Sequence, residues 1–156
     1  MKKILFVCLG NICRSPAAHA IMQQKIDAIG LSKRFLIDSA GTSNYHPGEL
    51  PDPRMRQEGA KLGYNLDSHA RQITQNDLET FDMIITMDES NYNDVKQMMN
   101  QRQIVKLHRL SDFSNLEDFL EVPDPYYGNA KGFANVFALL DDACEGLLRQ
   151  LQSTVE

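Results

Sequence analysis

Residues 4–16, Ile-Leu-Phe-Val-Cys-Leu-Gly-Asn-Ile-Cys-Arg-Ser-Pro, contain the change of pattern on which the fold depends. The first five residues are a continuous apolar run, which is typical of a strand buried on both faces of a parallel sheet. Gly10 and Asn11 interrupt this run, and apolar residues then recur at helical spacing over residues 15–29, before Gly30. The stretch therefore predicts a buried strand, a short loop and a helix.

Apolar runs and amphipathic stretches continue to alternate along the chain. Strands are predicted over residues 35–38, 81–87 and 104–107, and helices over residues 53–62, 88–99 and a long final stretch that includes 133–151. This alternation predicts a three-layer, doubly wound α/β fold, in which four parallel strands carry helices on both faces. We expect one domain over residues 1–156. Such sheets bind ligands at the carboxyl ends of their strands, so the loop after the first strand is the expected site.

Composition and charge exclude several classes of protein. A hydrophobic content of 42% and a charged content of 24% are those of a globular domain rather than a disordered or coiled-coil chain. The net charge of −5 argues against a general nucleic-acid binder. Residues 1–34 nevertheless carry six basic side chains and one acidic one, which makes this end the candidate anion site.

The compartment is predicted from the cysteines and from the length of the first apolar run. Three cysteines in a chain of ordinary composition favour a reducing environment, so we expect a cytoplasmic protein. The apolar run at residues 4–9 is six residues long, too short for a membrane span or for the core of a signal peptide. We therefore expect neither a membrane nor a nucleic acid as partner.

Cys8 and Arg14 are six positions apart, in the loop between the predicted strand and helix. Backbone N–H groups of a loop wound into a helix N-terminus bind an oxyanion, and the helix dipole favours negative charge there. Gly10 and Asn11 are the residue types that most readily adopt the left-handed conformations that such a loop needs. The Arg14 guanidinium adds two parallel donors for phosphate oxygens. The same positive surroundings favour the nucleophilic thiolate of Cys8, to which Ser15 is placed to donate a hydrogen bond.

Six further segments accompany the motif at residues 7–16, namely residues 38–42, 51–54, 70–72, 81–82, 87–91 and 123–128. Together with that motif they closely resemble the low-molecular-weight protein tyrosine phosphatases, over essentially the full length of the chain. The resemblance implies a flavodoxin-like (phosphotyrosine phosphatase I-like) sheet. It also implies phosphotyrosine-containing proteins as substrates, inorganic phosphate as product, and no cofactor. We expect a monomer or a weak homodimer.

The resemblance places the general acid of the family at Asp124, between Pro123 and Pro125 in a long segment without strong periodicity. A phenolate leaving group, whose pKa lies near 10, needs a proton in the transition state, and an aspartic acid is a suitable donor. Cys8 is then expected to attack phosphorus while Asp124 protonates the leaving oxygen. Asp124 next activates the water that hydrolyses the cysteinyl phosphate. Arg14 and the loop N–H groups hold the phosphate oxygens, so no metal is required.

Other site residues follow from the loop and from the resemblance. The predicted phosphate-binding and substrate-binding residues are Leu9, Gly10, Asn11, Ile12, Cys13, Ser15, Tyr45 and Tyr126. Among these, Leu9 and the two tyrosines are expected to wall a deep slot for the aromatic ring of the substrate.

Support for the loop is inferred from the resemblance alone. Asn11 and Ser39 resemble a hydrogen-bonded pair that holds the loop, and Asp88 is expected to order the loop that carries the acid. One departure lies nearby, because Ser68 stands where many relatives have a histidine. The contact from that histidine to Asn11 is therefore in question, and His69 does not inherit its role.

The remaining cysteines and the histidines receive different expectations. Cys13, five residues after Cys8, is a candidate partner for a reversible disulfide that would protect Cys8 from irreversible oxidation. Cys144 lies on the apolar stripe of the last helix and is expected to be an inert core residue. No metal site is expected, because there is no C-x2-C pair and the histidines lack ligand spacing. We expect all four histidines at the surface: His19, His46, His69 and His108.

Three alternative functions are less consistent with these residues. A protein arginine phosphatase shares the scaffold, but its relatives carry threonine where this loop has Ile12. A thiol-dependent arsenate reductase also uses a Cys-x5-Arg loop, yet it needs further reactive cysteines, which Cys144 alone does not supply. A non-catalytic phosphopeptide-binding module would need neither the nucleophile Cys8 nor the acid Asp124.

Overall fold

The apolar run near the amino terminus forms an inner strand of a four-stranded parallel sheet in the computed structural model, which describes residues 1–155. Strand β1 (Lys2–Cys8) pairs with β2 (Phe35–Gly41) on one side and with β3 (Met83–Thr86) on the other, and β4 (Leu107–Arg109) pairs with β3. The strand order is β2-β1-β3-β4. The predicted α/β fold with four parallel strands is confirmed.

Alternating side chains of β1 enter two separate cores, one on each face of the sheet. Ile4, Phe6 and Cys8 pack on one face and Leu5 and Val7 on the other, and all five are buried. The first face is covered by α1 (Arg14–Ala28), α2 (Pro53–Lys61) and α5 (Ala130–Gln152). The second is covered by α3 (Gln75–Thr80) and α4 (Glu89–Met98). Helices therefore lie on both faces, as the alternation of the sequence predicts.

Helix α5 buries the apolar stripe that the sequence shows, from Phe133 to Leu151. It packs against α1 and also against the segment Leu110–Phe113, where the backbones come very close. A Cβ placed on Gly146 would lie 1.8 Å from the Phe113 carbonyl oxygen, so only glycine fits at this position. The contact fixes α5 against the start of the long segment that leads to Asp124.

Some predicted boundaries are wrong. The fourth strand lies at Leu107–Arg109 instead of residues 104–107, because Ile104–Lys106 forms a 3₁₀ turn in which Ile104 and Val105 are exposed. The third strand is shorter than residues 81–87, and the short helix α3 was not predicted. The other predicted helices agree with the structure to within one or two residues, apart from the first turn of α5.

The carboxyl ends of β1, β2 and β3 meet at one edge of the sheet, and the loops that follow them carry the site described below. Residues 114–129 contain no helix or strand and reach the same edge. Within residues 1–155, none of the helices has both the length and the apolar character needed to cross a bilayer.

Candidate active site

The loop between β1 and α1 is a tight turn held against β2. Asn11 has a φ of +58°, in the left-handed region, whereas Gly10 does not, so only one of the two predicted left-handed residues adopts that conformation. The Thr42 N–H donates to the Cys8 carbonyl at 2.9 Å. A Cβ on Gly41 would lie 2.7 Å from the Leu9 carbonyl oxygen, so this glycine lets the two backbones approach.

Cys8 ends β1 with its sulfur buried and next to a hydroxyl group. The Cys8 Sγ lies 3.0 Å from Ser15 Oγ in the first turn of α1. Asn11 Nδ2 donates to the same hydroxyl at 2.8 Å, and Asn11 Oδ1 accepts from the Arg71 N–H at 3.1 Å. Asn11 fills an acceptor position of Ser15, and the Ser15 proton has two acceptors within reach, the sulfur and the Ala40 carbonyl at 3.4 Å. These contacts from Arg71 through Asn11 to Ser15 hold a hydroxyl group beside the Cys8 sulfur.

Arg14 is the largest polar side chain that the fold buries, with 2% of its surface exposed. Its Nη1 contacts Asp88 Oδ2 at 2.6 Å and donates to the Val122 carbonyl at 3.0 Å, while Nη2 lies 3.5 Å from Asp124 Oδ2. Burial alone would lower the pKa of this guanidinium, but the negative charges of Cys8, Asp88 and Asp124 outweigh it and raise the pKa. Arg14 is thus a fixed cation beside the Cys8 thiol.

Asp124 faces Arg14 from the long segment before α5. Its Oδ1 accepts a hydrogen bond from the Tyr126 N–H at 3.0 Å, so the carboxyl group is held from both sides. The Asp124 side chain is 39% exposed, in contrast to the buried Cys8 and Arg14. A carboxyl group at the mouth of the cleft can exchange protons with solvent while it faces Arg14.

The structure brings the predicted residues together around one cleft of about 290 Å³. The cleft is lined by nine predicted residues: Cys8, Leu9, Gly10, Ile12, Cys13, Arg14, Tyr45, Asp124 and Tyr126. Ser15 and Asn11 lie beneath it, and Asp88 lies behind Arg14. Two further residues, His46 and Tyr127, line the cleft and were not predicted.

The predicted pair of Asn11 and Ser39 is not formed in the part of the chain that the structure describes. Asn11 bonds to Ser15 and to the Arg71 backbone, whereas the Ser39 hydroxyl lies 3.4 Å from His19 Nδ1. The donor to Asn11 Oδ1 is the backbone N–H of Arg71, which does not depend on any side chain. The loop is therefore held although Ser68 stands where the resemblance leads us to expect a histidine. Asp88 acts through Arg14 on residues 122–128, the acid loop, because Arg14 contacts Asp88 and also donates to the Val122 carbonyl.

The expectation that every histidine lies at the surface is wrong. Only His69 is exposed, while the others are half-buried. His46 packs beside Tyr126, with ring centroids 6.3 Å apart, and its Nδ1 lies 2.5 Å from Glu49 Oε2. No group of three or more His, Cys, Asp or Glu side chains in residues 1–155 is arranged to hold a metal ion.

All three cysteines are free, buried thiols, but they differ in position. Burial raises the pKa of Cys13, and the nearby Asp52 and Cys8 raise it further. Burial also raises the pKa of Cys144 to about 12, in the core between α5 and α1. Both of these thiols are therefore protonated at neutral pH.

The chain is similar over nearly its whole length to known phosphatases. The family model described as low molecular weight phosphotyrosine protein phosphatase matches residues 3–156. The chain belongs to this family. A Synechocystis protein that carries the family's name is 47% identical over 150 residues, with 96% of each chain covered. The low molecular weight phosphotyrosine protein phosphatase of Gallus gallus is 39% identical over 152 residues, again with 96% of each covered.

Solved structures of the family agree with this fold. A protein tyrosine phosphatase of Entamoeba histolytica, crystallised with Hepes in its active site, matches with a TM-score of 0.96 and 43% identity, and each chain is covered completely. Two residues that line the cleft of the present chain were not predicted from its sequence, His46 and Tyr127. Each of them comes immediately after a predicted residue, His46 after Tyr45 and Tyr127 after Tyr126. Their position next to predicted wall residues was the signal that could have found them.

Proposed function

We propose that this phosphatase hydrolyses phosphotyrosine in proteins through a cysteinyl-phosphate intermediate, with residues 1–156 acting as one phosphatase domain. The observation that carries the proposal is the placement of Cys8, Arg14 and Asp124 around one cleft. The thiol has a hydroxyl donor at 3.0 Å, and the buried guanidinium lies 3.5 Å from the carboxyl group on the opposite side. A nucleophile, a phosphate-binding cation and an acid thus converge at one point.

The first step transfers the phosphoryl group from the tyrosine oxygen to Cys8. The Cys8 thiolate attacks phosphorus, Arg14 and the loop N–H groups bind the three equatorial oxygens, and Asp124 gives its proton to the departing phenolate. In the second step the Asp124 carboxylate takes a proton from water, which attacks the cysteinyl phosphate and releases inorganic phosphate. Ser15 stabilises the thiolate that leaves by donating to it, because its hydroxyl lies 3.0 Å from the sulfur.

The walls of the cleft support an aromatic phosphoester as substrate. Leu9, Tyr45 and Tyr126 lie around the opening, and Cys8 lies buried at the floor. A ring that extends from this floor to the surface suits the length of a phosphotyrosine side chain better than that of a phosphoserine. Ile12, which is 8% exposed, gives this pocket an apolar side.

The test is phosphate release from a phosphotyrosine peptide with chelator present. The wild type should release phosphate, whereas Cys8→Ser should release none, because the variant lacks the nucleophile. Cys144→Ala is the matched control and should also release phosphate, because Cys144 is a buried thiol outside the cleft. Release that survives in Cys8→Ser, or no release by the wild type, would contradict the proposal.

The role of Asp124 has its own test. Asp124→Asn should slow the hydrolysis of phenyl phosphate about 100-fold or more and that of dinitrophenyl phosphate far less. The reason is that only the phenolate leaving group needs a proton. Similar slowing of both esters would remove Asp124 from the role of acid.

We also propose that Cys13 protects Cys8 during oxidation. Both thiols line the same cleft and are free. An oxidant such as peroxide would convert the Cys8 thiolate to a sulfenic acid, which condenses with the Cys13 thiol to a disulfide and water. Recovery by an added thiol after peroxide treatment should be lost in Cys13→Ser. Undiminished recovery of that variant would exclude the protective role.

Compartment and assembly complete the proposal. Three free thiols fit a reducing compartment, which supports the cytoplasm. We propose a monomer or a weak homodimer, which light scattering at several protein concentrations would test.

A further inference from the structure

We propose that Arg54 is a positioning residue that holds the loop of the general acid in register with the phosphate-binding loop. The inference rests on the proposed function, since it concerns the acid Asp124. Arg54 lies in the first turn of α2 and does not line the cleft. Its guanidinium nevertheless reaches the segment that carries the acid, and donates from Nη2 to the Tyr126 carbonyl at 2.8 Å.

The carbonyl that Arg54 holds belongs to Tyr126, and the N–H of the same residue donates to Asp124 Oδ1 at 3.0 Å. Arg54 therefore fixes the carbonyl side of a residue whose amide side orients the acid. The side chain of Tyr127, the next residue, is 94% exposed, so little packing restrains this turn from outside.

Arg54 is itself held by Asp52 in a forked ion pair. The Arg54 Nε donates to Asp52 Oδ1 at 3.1 Å, and the Arg54 Nη2 donates to Asp52 Oδ2 at 2.9 Å. Asp52 is 7% exposed, and hydrogen bonds from Arg54 lower its pKa although burial opposes this, so it is charged at neutral pH. Its own N–H donates to the Ile12 carbonyl in the phosphate-binding loop at 2.8 Å.

Arg54 also packs against two aromatic rings. The Arg54 guanidinium lies over the Phe133 ring at 4.7 Å and over the Tyr126 ring at 5.4 Å, so it also bridges α5 and the acid loop. Hydrogen bonds and stacking together connect the Ile12 carbonyl, Asp52, Arg54 and the Tyr126 carbonyl in one path. That path sets the distance between the nucleophile's loop and the acid's loop.

The matched variants are Arg54→Met and Arg56→Met. Both arginines lie on α2, but Arg56 donates to the Leu66 carbonyl at 3.1 Å and has no hydrogen bond to the acid loop within residues 1–155. Arg54→Met should slow the hydrolysis of phenyl phosphate about tenfold or more and change the rate for dinitrophenyl phosphate by less than about twofold. The reason is that only the proton transfer from Asp124 loses its geometry. Arg56→Met should change neither ester by more than about twofold. Arg54→Lys keeps the charge but cannot form the fork, so it should recover only part of the loss.

A readout without catalysis separates the positioning role from the proposed function. The Gly128 N–H donates to the Pro125 carbonyl at 2.8 Å and so belongs to the same turn as the Tyr126 N–H. Hydrogen exchange at these two amides should become faster in Arg54→Met and stay unchanged in Arg56→Met. Unchanged exchange in Arg54→Met, or equal slowing of both esters, would overturn the inference. A wild type that hydrolyses neither ester would contradict the proposed function alone, and exchange would still decide whether Arg54 holds the loop.

Discussion

At the residue scale, the hydrogen bond between Ser15 and Cys8 is the contact closest to the chemistry. The donor is oriented by Asn11, which is itself fixed by the Arg71 backbone. Ser15 and Asn11 are buried beneath the cleft, so on this side of the sulfur no water can take the place of the Ser15 hydroxyl. The reactivity of Cys8 should therefore depend on one hydroxyl group.

Ser15→Ala should lower kcat/KM for a phosphotyrosine peptide and slow the alkylation of Cys8 by iodoacetate at pH 7. A hydrogen bond to a charged group contributes about 1.5–3 kcal/mol, which corresponds to a loss of about 10-fold to 100-fold. Both rates can be measured on the same preparations. Ser43→Ala is the control, because its hydroxyl donates to the Leu9 carbonyl at 2.9 Å and not to the sulfur. Equal losses in the two variants would show that the effect comes from the loop and not from the donor.

Cys8 and Arg14 could be placed at one cleft from the sequence, because their loop contains Gly and Asn and stands between a buried strand and an amphipathic helix. Their supporting contacts could not. Asn11 bonds to a backbone N–H of Arg71, and backbone groups leave no mark in a sequence. The resemblance therefore led to the wrong partner, Ser39, which contacts His19 instead.

At the element scale, one close backbone contact sets how near α5 lies to the segment that leads to Asp124. Gly146 faces the carbonyl of Phe113, and both lie beside the segment that leads to the acid loop. A substitution there should move a whole helix, because neither partner is a flexible side chain.

Gly146→Ala should destabilise the protein by about 2 kcal/mol or more, although alanine favours a helix over glycine by about 1 kcal/mol. The reason is the 1.8 Å approach that the new Cβ would make to the Phe113 oxygen. Gly132→Ala, in the first turn of the same helix, meets nothing within 4 Å and should change stability by less than about 1 kcal/mol. Urea unfolding of both variants measures the difference. A stabilised Gly146→Ala would show that the helix does not touch this carbonyl.

Elements with strong periodicity could be predicted, and those defined by few residues could not. The stripe of α5 spans about five turns and was found, whereas α3 has six residues and a single buried apolar side chain, Leu78. The signal for α3 was its capping box, in which Thr74 and Asp77 bond to each other's backbone. The fourth strand was misplaced because β-branched residues, Ile104 and Val105, also occupy the exposed turn before it.

At the scale of the whole molecule, the site combines residues from positions 8 to 127, and the sheet edge is what brings them together. The alternation of strands and helices predicts a parallel sheet with its ligand site at the carboxyl ends of the strands, so the location of the cleft could be predicted. The connection through Arg54 could not, because it depends on how α2 packs beside a segment without regular structure.

Stability of the whole fold should depend on pH above 8.5, because of the buried thiols. The pKa of Cys144 is raised to about 12 in the fold, against about 8.5 in an unfolded chain. The unfolded state therefore loses its proton first, and the stabilisation present below pH 8.5 is lost progressively as the pH rises towards 12. Between pH 7.5 and 10 this thiol alone should remove about 2 kcal/mol from the free energy of unfolding.

Cys144→Ala isolates this contribution. The variant will have a lower stability at pH 7.5, because a buried side chain is truncated, but its loss between pH 7.5 and 10 should be about 2 kcal/mol smaller than that of the wild type. Cys13 and Tyr64, whose pKa values burial also raises, are present in both proteins and cancel in the comparison. Urea unfolding under reducing conditions at the two pH values gives the difference. Parallel losses in the two proteins would mean that Cys144 ionises inside the fold, and that the core around α5 admits water.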